Sequence, residues 1–164
     1  HALDRLGHAP GRWLLVDVAN QRLMLLRGED VQSTWPVSAA AAGLDARQDS
    51  GGTPPGIHRI VARIGAGADP SAVFVSRERT GEVWDGRDDP QDLILGRILT
   101  LEGREEGVNR GPGVDSLARY IYLHGTNHED RLGEPCSHGC VRLGRRDVIA
   151  VFDAVTEGDP VVIV

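Results

Sequence analysis

From His124 to Arg142 the chain reads HGTNHEDRLGEPCSHGCVR, a stretch that gathers three of the six histidines and both cysteines. A thiol of ordinary pKa, about 8.5, is only a few per cent thiolate at neutral pH, so a nucleophilic cysteine needs an imidazole or a positive dipole beside it. Cys140 follows Ser137-His138-Gly139. A glycine immediately before the nucleophile permits a tight turn and a close approach of substrate to the backbone. The amides of Gly139 and Cys140 are then candidates for an oxyanion hole. His138, two residues away in a tight turn, is poorly placed to face Cys140, whereas His124 at the end of a strand can meet it across a sheet. His124 is therefore the expected base.

Two other readings fit the same residues. Cys140 on its own is a small buried hydrophobe, the usual fate of a free cysteine. Cys136, His138 and Cys140 also alternate, and His124 or His128 would complete a zinc site of mixed nitrogen and sulfur ligands, although C-x-H-x-C is not a usual zinc spacing. His128, beside Glu129 and Asp130, reads as a solvated loop residue, and His1, His8 and His58 have no local partner. A disulfide between Cys136 and Cys140 would demand a tight turn at the site.

Composition narrows the field. All 18 basic residues are arginine. The absence of lysine removes Schiff-base, lysine-base and P-loop chemistry. With 24 acidic residues the net charge is -6, opposite to the basic footprint of nucleic-acid binding. No apolar run approaches the roughly 20 residues that span a bilayer. A chain of 164 residues is long enough to bury a core without disulfides or a structural metal. It begins at His1 rather than Met, so an export signal or anchor is expected to have been removed.

The elements that position Cys140 and His124 are short. Trp13–Val18 and Arg22–Leu26 read as a hairpin, a segment near Thr34–Ala40 as its third strand, and Gly43–Gly56, ending Thr53-Pro54-Pro55-Gly56, as a loop. Ile57–Ile64 and Leu93–Leu101 read as strands with mostly loop between them. Glu102–Ser116 reads as a second large loop leading into the strand Tyr120–His124, with Tyr120 and Tyr122 on one face. Val148, Ile149, Phe152 and Val155 repeat at helical spacing, with Asp147 as the expected cap, Gly158 as the stop and Arg145-Arg146 as a solvated start. Pro160–Val164 returns as a strand. Many short strands with one firm helix, and no internal repeat or linker, predict a mainly β sandwich or barrel in a single domain.

HGT followed by SHGCVR at this separation resembles the signature of the L,D-transpeptidase catalytic domain, the YkuD-type family. Gln21-Arg22-Leu23, Pro36-Val37-Ser38, Thr53-Pro54-Pro55-Gly56 and Arg119-Tyr120-Ile121-Tyr122 are similar to that family's recurring pattern. The resemblance covers 12–164, behind a lead-in at 1–11, and implies a single β-sandwich domain with one C-terminal helix and minor helices. It also implies that Cys140 attacks the diaminopimelate–D-Ala bond of a peptidoglycan tetrapeptide stem, forms a thioester, and passes the acyl group to an amine in a 3-3 cross-link. His124 is then the base, its other ring nitrogen held by the Gly125 carbonyl in place of a carboxylate. Ser137 and His138 line the pocket, Arg142 pairs with a substrate carboxylate, and Tyr122 is a candidate for the groove. Water or a lipoprotein lysine as acceptor defines the variants of this chemistry, and carbapenem acylation of Cys140 is a further expectation. The sequence departs from the family at Cys136, where a small residue is commoner, and at Gly144-Arg145-Arg146, where an asparagine-containing turn is usual. By the same resemblance the protein acts in the periplasm or cell envelope; no cofactor, metal or stable membrane contact is expected, and a monomer is the default expectation. The contrasting reading is a non-catalytic wall-binding or zinc-binding module.

Overall fold

The computed structural model describes residues 4, 6 and 11–164; the expected lead-in, with His1 and His8, lies almost wholly outside them. Alternating apolar residues build the first hairpin, β1 (Arg12–Asp17) with β2 (Arg22–Arg27). Leu14, Val16 and Leu23 point into the main core, and Trp13 and Leu26 point to the opposite face, where Val162 joins them. Gln21 closes the turn in the left-handed region at φ 48°. Its buried amide donates to the Val18 carbonyl (2.6 Å) and accepts from the Ala39 N–H (2.8 Å). The hairpin is thereby tied to the chain that follows β3 (Asp30–Pro36).

The remaining elements are β4 (Gly56–Ile64), β5 (Ala72–Val75), β6 (Glu78–Val83), β7 (Ile94–Gly103), β8 (Tyr122–Gly125), β9 (Val141–Leu143), the helix α1 (Arg145–Ala154) and β10 (Pro160–Ile163), with one 3-10 turn at Glu129–Arg131. Strands run in the order β3-β2-β1-β10-β4-β7. β7 takes β4 and β5 along one edge and β8 along the other, and β9 follows β8. The β1–β10 and β8–β9 pairs are parallel, so the sheet is mixed. The chain just past β3 closes it: Ser38 and Arg142 exchange N–H···O bonds of 2.9 and 3.0 Å. The mainly β sandwich expected from the sequence is thus one hydrogen-bonded sheet folded around a core of Leu14, Ile60, Leu99, Leu123, Val141 and Val161, with Val148, Val151 and Phe152 of α1 packed into it.

Four local expectations are corrected. The stretch between β4 and β7 is not mostly loop; it holds β5 and β6, and β6 was hidden because all six of its residues are exposed and show no alternation. β3 begins at Asp30, earlier than Thr34. β8 begins at Tyr122 because Tyr120 turns the chain at φ 58°. The helix starts at Arg145 with Gly144 as N-cap and no side-chain cap, Asp147 lying in its first turn. It ends at Ala154, with Val155 already extended, ahead of Gly158.

Candidate active site

Register brings the thiol and the imidazole together. In the parallel β8–β9 pair His124 lies opposite Arg142 and Leu123 opposite Val141. Cys140, one residue before β9, is therefore beside Tyr122, whose N–H reaches the sulfur at 3.4 Å. Side chains alternate across a sheet. Leu123, Val141 and Leu143 enter the main core, which leaves Tyr122, His124, Cys140 and Arg142 on the other face. Adjacent strands are ~4.8 Å apart and residues two apart along a strand ~6.6 Å, so Cys140 and His124 are diagonal neighbours.

Each partner is fixed locally. His124 is buried and donates from Nδ1 to the Gly125 carbonyl at 2.8 Å, which leaves Nε2 as the acceptor nitrogen. Burial holds its pKa below the ordinary value, opposed by that carbonyl and by Asp92. The ring is neutral at neutral pH. Gly125 admits no larger residue, since a Cβ there would stand 2.3 Å from the Leu95 carbonyl oxygen. Ser137 is also buried; its hydroxyl donates to the Cys140 carbonyl (2.6 Å) and accepts from the Gly139 N–H (3.2 Å). That double bond folds Ser137–Cys140 into the expected turn, with Gly139 at φ 136°. His138 points outward and is exposed. Thr53 secures the turn from behind, its hydroxyl donating to the Gly139 carbonyl (2.9 Å) and accepting from the Ala40 N–H (3.1 Å).

The half-buried Cys140 packs against Phe74, Ile98 and Tyr122. Burial pushes its thiol up to about 11, opposed by the Tyr122 N–H, Arg119 and Arg142 and reinforced by Asp92. In this resting state the thiol donates to the Tyr120 carbonyl at 3.4 Å. Tyr120 aims that carbonyl by adopting a left-handed φ that a side chain disfavours, a form of strain that concentrates at functional sites.

The structure places three expected groups differently from the sequence reading. Arg142 is 2% exposed, and its guanidinium is engaged by Asp92 (3.0 Å) and Ser38 Oγ (2.9 Å) inside the protein, where a substrate carboxylate was expected. Tyr122 is buried, its hydroxyl accepting from Arg77 Nε at 3.0 Å, so it backs the site where a groove surface was expected. The Gly139 amide is held by Ser137, leaving the Cys140 amide as the other member of the expected oxyanion pair. Cys136 and Cys140 are both free thiols. Among the described residues no group of three or more His, Cys, Asp or Glu side chains is arranged to hold a metal, so the zinc reading finds no ligand set. His128 donates from Nε2 to the Asp89 carbonyl at 2.7 Å, which makes it a loop tie.

Sequence reading missed Asp92, Arg119 and Arg77. Asp92 stands fifty positions before its partner Arg142 and carries no local signal. Arg119 and Tyr120 belong to a segment whose family likeness was noticed but whose side-chain partners, in the Gly43–Gly56 loop, are distant in the chain.

A mainly β domain that sets a thiol and a neutral imidazole on one face of adjoining parallel strands defines the class. The L,D-transpeptidase catalytic domain model, YkuD, matches residues 11–163, and the chain belongs to that family. A Bacillus licheniformis relative bearing the name L,D-transpeptidase YkuD is 35% identical over 77 residues, covering 40% of this chain and 47% of the relative. Among solved structures, an L,D-transpeptidase from Mycobacterium smegmatis superposes with a TM-score of 0.56 at 19% identity, over 96% of this chain and 59% of that one. L,D-transpeptidase 3 from Mycobacterium tuberculosis, solved in complex with a faropenem-derived adduct, gives 0.59 at 18% identity over 94% and 60%. At these identities the structures share the fold. The chain spans less than two thirds of the length of each.

Proposed function

We propose that this domain is a cysteine acyltransferase acting on peptidoglycan stem peptides, an L,D-transpeptidase with Cys140 as nucleophile and His124 as base. The observation that carries the proposal is the pairing of His124 Nδ1 with the Gly125 carbonyl on the strand beside Cys140, which fixes the tautomer a base requires without an acidic partner. The Cys140 thiol leaves the Tyr120 carbonyl and gives its proton to His124 Nε2. The thiolate attacks the carbonyl of the diaminopimelate–D-Ala bond, the His124 imidazolium returns the proton to the departing amine, and D-Ala leaves a thioester. An amine of a second stem then attacks the thioester, its proton passing to His124, and the thiol is regenerated with a 3-3 cross-link formed. The Cys140 amide, joined by that of Gly139 if the latter exchanges its bond to Ser137, receives the oxyanion. Ser137 and Arg142 position the turn and strand, and His138 lies at the rim. The domain over 12–164 carries the residues of this chemistry, whose location is the cell envelope.

Incubation with purified disaccharide-tetrapeptide and chromatography of the soluble products tests this. Cross-linked dimers with release of D-Ala support a transpeptidase. Tripeptides alone shift the assignment to an L,D-carboxypeptidase using the same thioester, and no release of D-Ala from this stem would sink the substrate assignment.

A further inference from the structure

Arg119 acts on the nucleophile and, among the described residues, makes no direct contact with a carboxylate, Asp45 and Asp49 acting on it only from farther off. Its Nη2 donates to the Gly52 carbonyl (2.9 Å) and lies 3.5 Å from Ser50 Oγ, while Nη1 donates to the Asp45 carbonyl (3.2 Å). All three acceptors are neutral. The Asp45 carboxylate is occupied by Arg47, at 2.6 to 3.2 Å. Arg142, the other cation acting on Cys140, has its charge offset by Asp92 at 3.0 Å. Arg119 also lies against the nucleophile turn: Nη2 is 3.8 Å, and the Gly52 carbonyl oxygen it holds 3.2 Å, from where a Cβ on Gly139 would stand. The residue that follows it, Tyr120, supplies the carbonyl on which the thiol rests.

We propose that Arg119 is a positioning residue for the nucleophile: it clamps the Gly43–Gly56 loop behind the Ser137–Cys140 turn and supplies the fixed positive charge that favours the Cys140 thiolate. A guanidinium suits both tasks. Its planar fork reaches several carbonyls at once, and its charge persists at every working pH. The groups facing the thiol are His124 from β8, Arg142 from β9, Asp92 ahead of β7 and Arg119 ahead of β8, with Arg77 behind them on the rings of Tyr120 and Tyr122. Asp92 opposes the thiolate and is paired with Arg142, so Arg119 is left as a cation favouring the thiolate whose charge no carboxylate in contact offsets.

This rests on Cys140 being the nucleophile but not on the identity of the peptide substrate, so the test uses a small electrophile. In a Cys136→Ser background, iodoacetamide alkylation of Cys140 is followed by intact mass across pH for Arg119, Arg119→Lys and Arg119→Gln. Arg119→Gln is expected to make alkylation about tenfold slower at pH 7, the equivalent of about one unit in the thiol's pKa. Arg119→Lys keeps the charge and is expected to stay within about threefold of the parent. Because the chain has no other lysine, acetylating the introduced one while Cys140 is masked as a mixed disulfide, then reducing, removes the charge in a protein already folded. That treatment should reproduce the tenfold loss even if Arg119→Gln fails to fold. A folded, charge-free protein with the parental pH profile would overturn the proposal, as would an Arg119→Lys variant as slow as the charge-free one.

Discussion

At the scale of single residues, the site combines a thiol that resists ionisation with an imidazole that resists protonation. Burial raises Cys140 to about 11 and lowers His124. The thiolate is then scarce at rest, and in the proposed mechanism it forms when His124 accepts the proton. Since the His124 value is lowered, the neutral base persists as pH falls below the ordinary 6.5 and is lost only further down. The acid limb of kcat/KM should accordingly lie below pH 6.5; a limb above it would contradict a buried base, though the values observed belong to the coupled pair. Two substitutions probe the supports. Ser137→Ala removes both bonds that fold the nucleophile turn, and should cost about 1–3 kcal/mol of stability, read by thermal melting, together with slower alkylation of Cys140. Gly125→Ala drives a Cβ into the Leu95 carbonyl and should cost about 1–3 kcal/mol or more by the same measurement. A melting temperature unchanged in either variant would contradict the packing described.

At the scale of elements, legibility followed burial. β1, β2, β4 and β7 alternate or run apolar because each has a face in a core, and the sequence shows them nearly to the residue. β6 is exposed along its whole length and leaves no such trace. The start of α1 was displaced because its cap is a glycine, a residue that signals caps weakly, while Asp147 offered a stronger but misleading signal. In the site, the placing of His124 beside Cys140 and its tie to the Gly125 carbonyl were legible because motif and strand end coincide. Arg142 was misread because its partner Asp92 comes from a loop far upstream, which no local pattern reports. That pair joins the loop before β7 to β9. Asp92→Asn leaves the buried guanidinium without its counter-charge, and should destabilise the fold by about 1–3 kcal/mol, less than a fully buried pair because Asp92 is 31% exposed. Denaturant unfolding with an unchanged midpoint would rule this out.

At the scale of the whole molecule, the sheet is closed at two seams, and each has a buried polar group at its centre. Ser38 and Arg142 join β9 to the chain after β3. His58 on β4 joins the sheet to the loop before β8, its Nδ1 on the Gly56 carbonyl (3.1 Å) and its Nε2 on Ser116 Oγ (2.8 Å). Burial lowers His58 to about 4. The unfolded chain therefore takes the proton first, so the contribution of neutral His58 is complete above pH 6.5 and is lost as pH falls from 6.5 toward 4. Over that window it amounts to about 3 kcal/mol. Melting temperature against pH should fall across this range, and His58→Gln should flatten the fall.

The central claim of the proposed mechanism is that the Cys140 sulfur carries the acyl group. Intact-mass spectrometry of the protein and of Cys140→Ala after incubation with disaccharide-tetrapeptide reads that covalent state. The expected result is an adduct equal to the stem less D-Ala on the parent protein, located to Cys140 and absent from the variant. An adduct that survives Cys140→Ala, or a parent protein that turns over the stem without ever carrying it, would contradict the thioester mechanism.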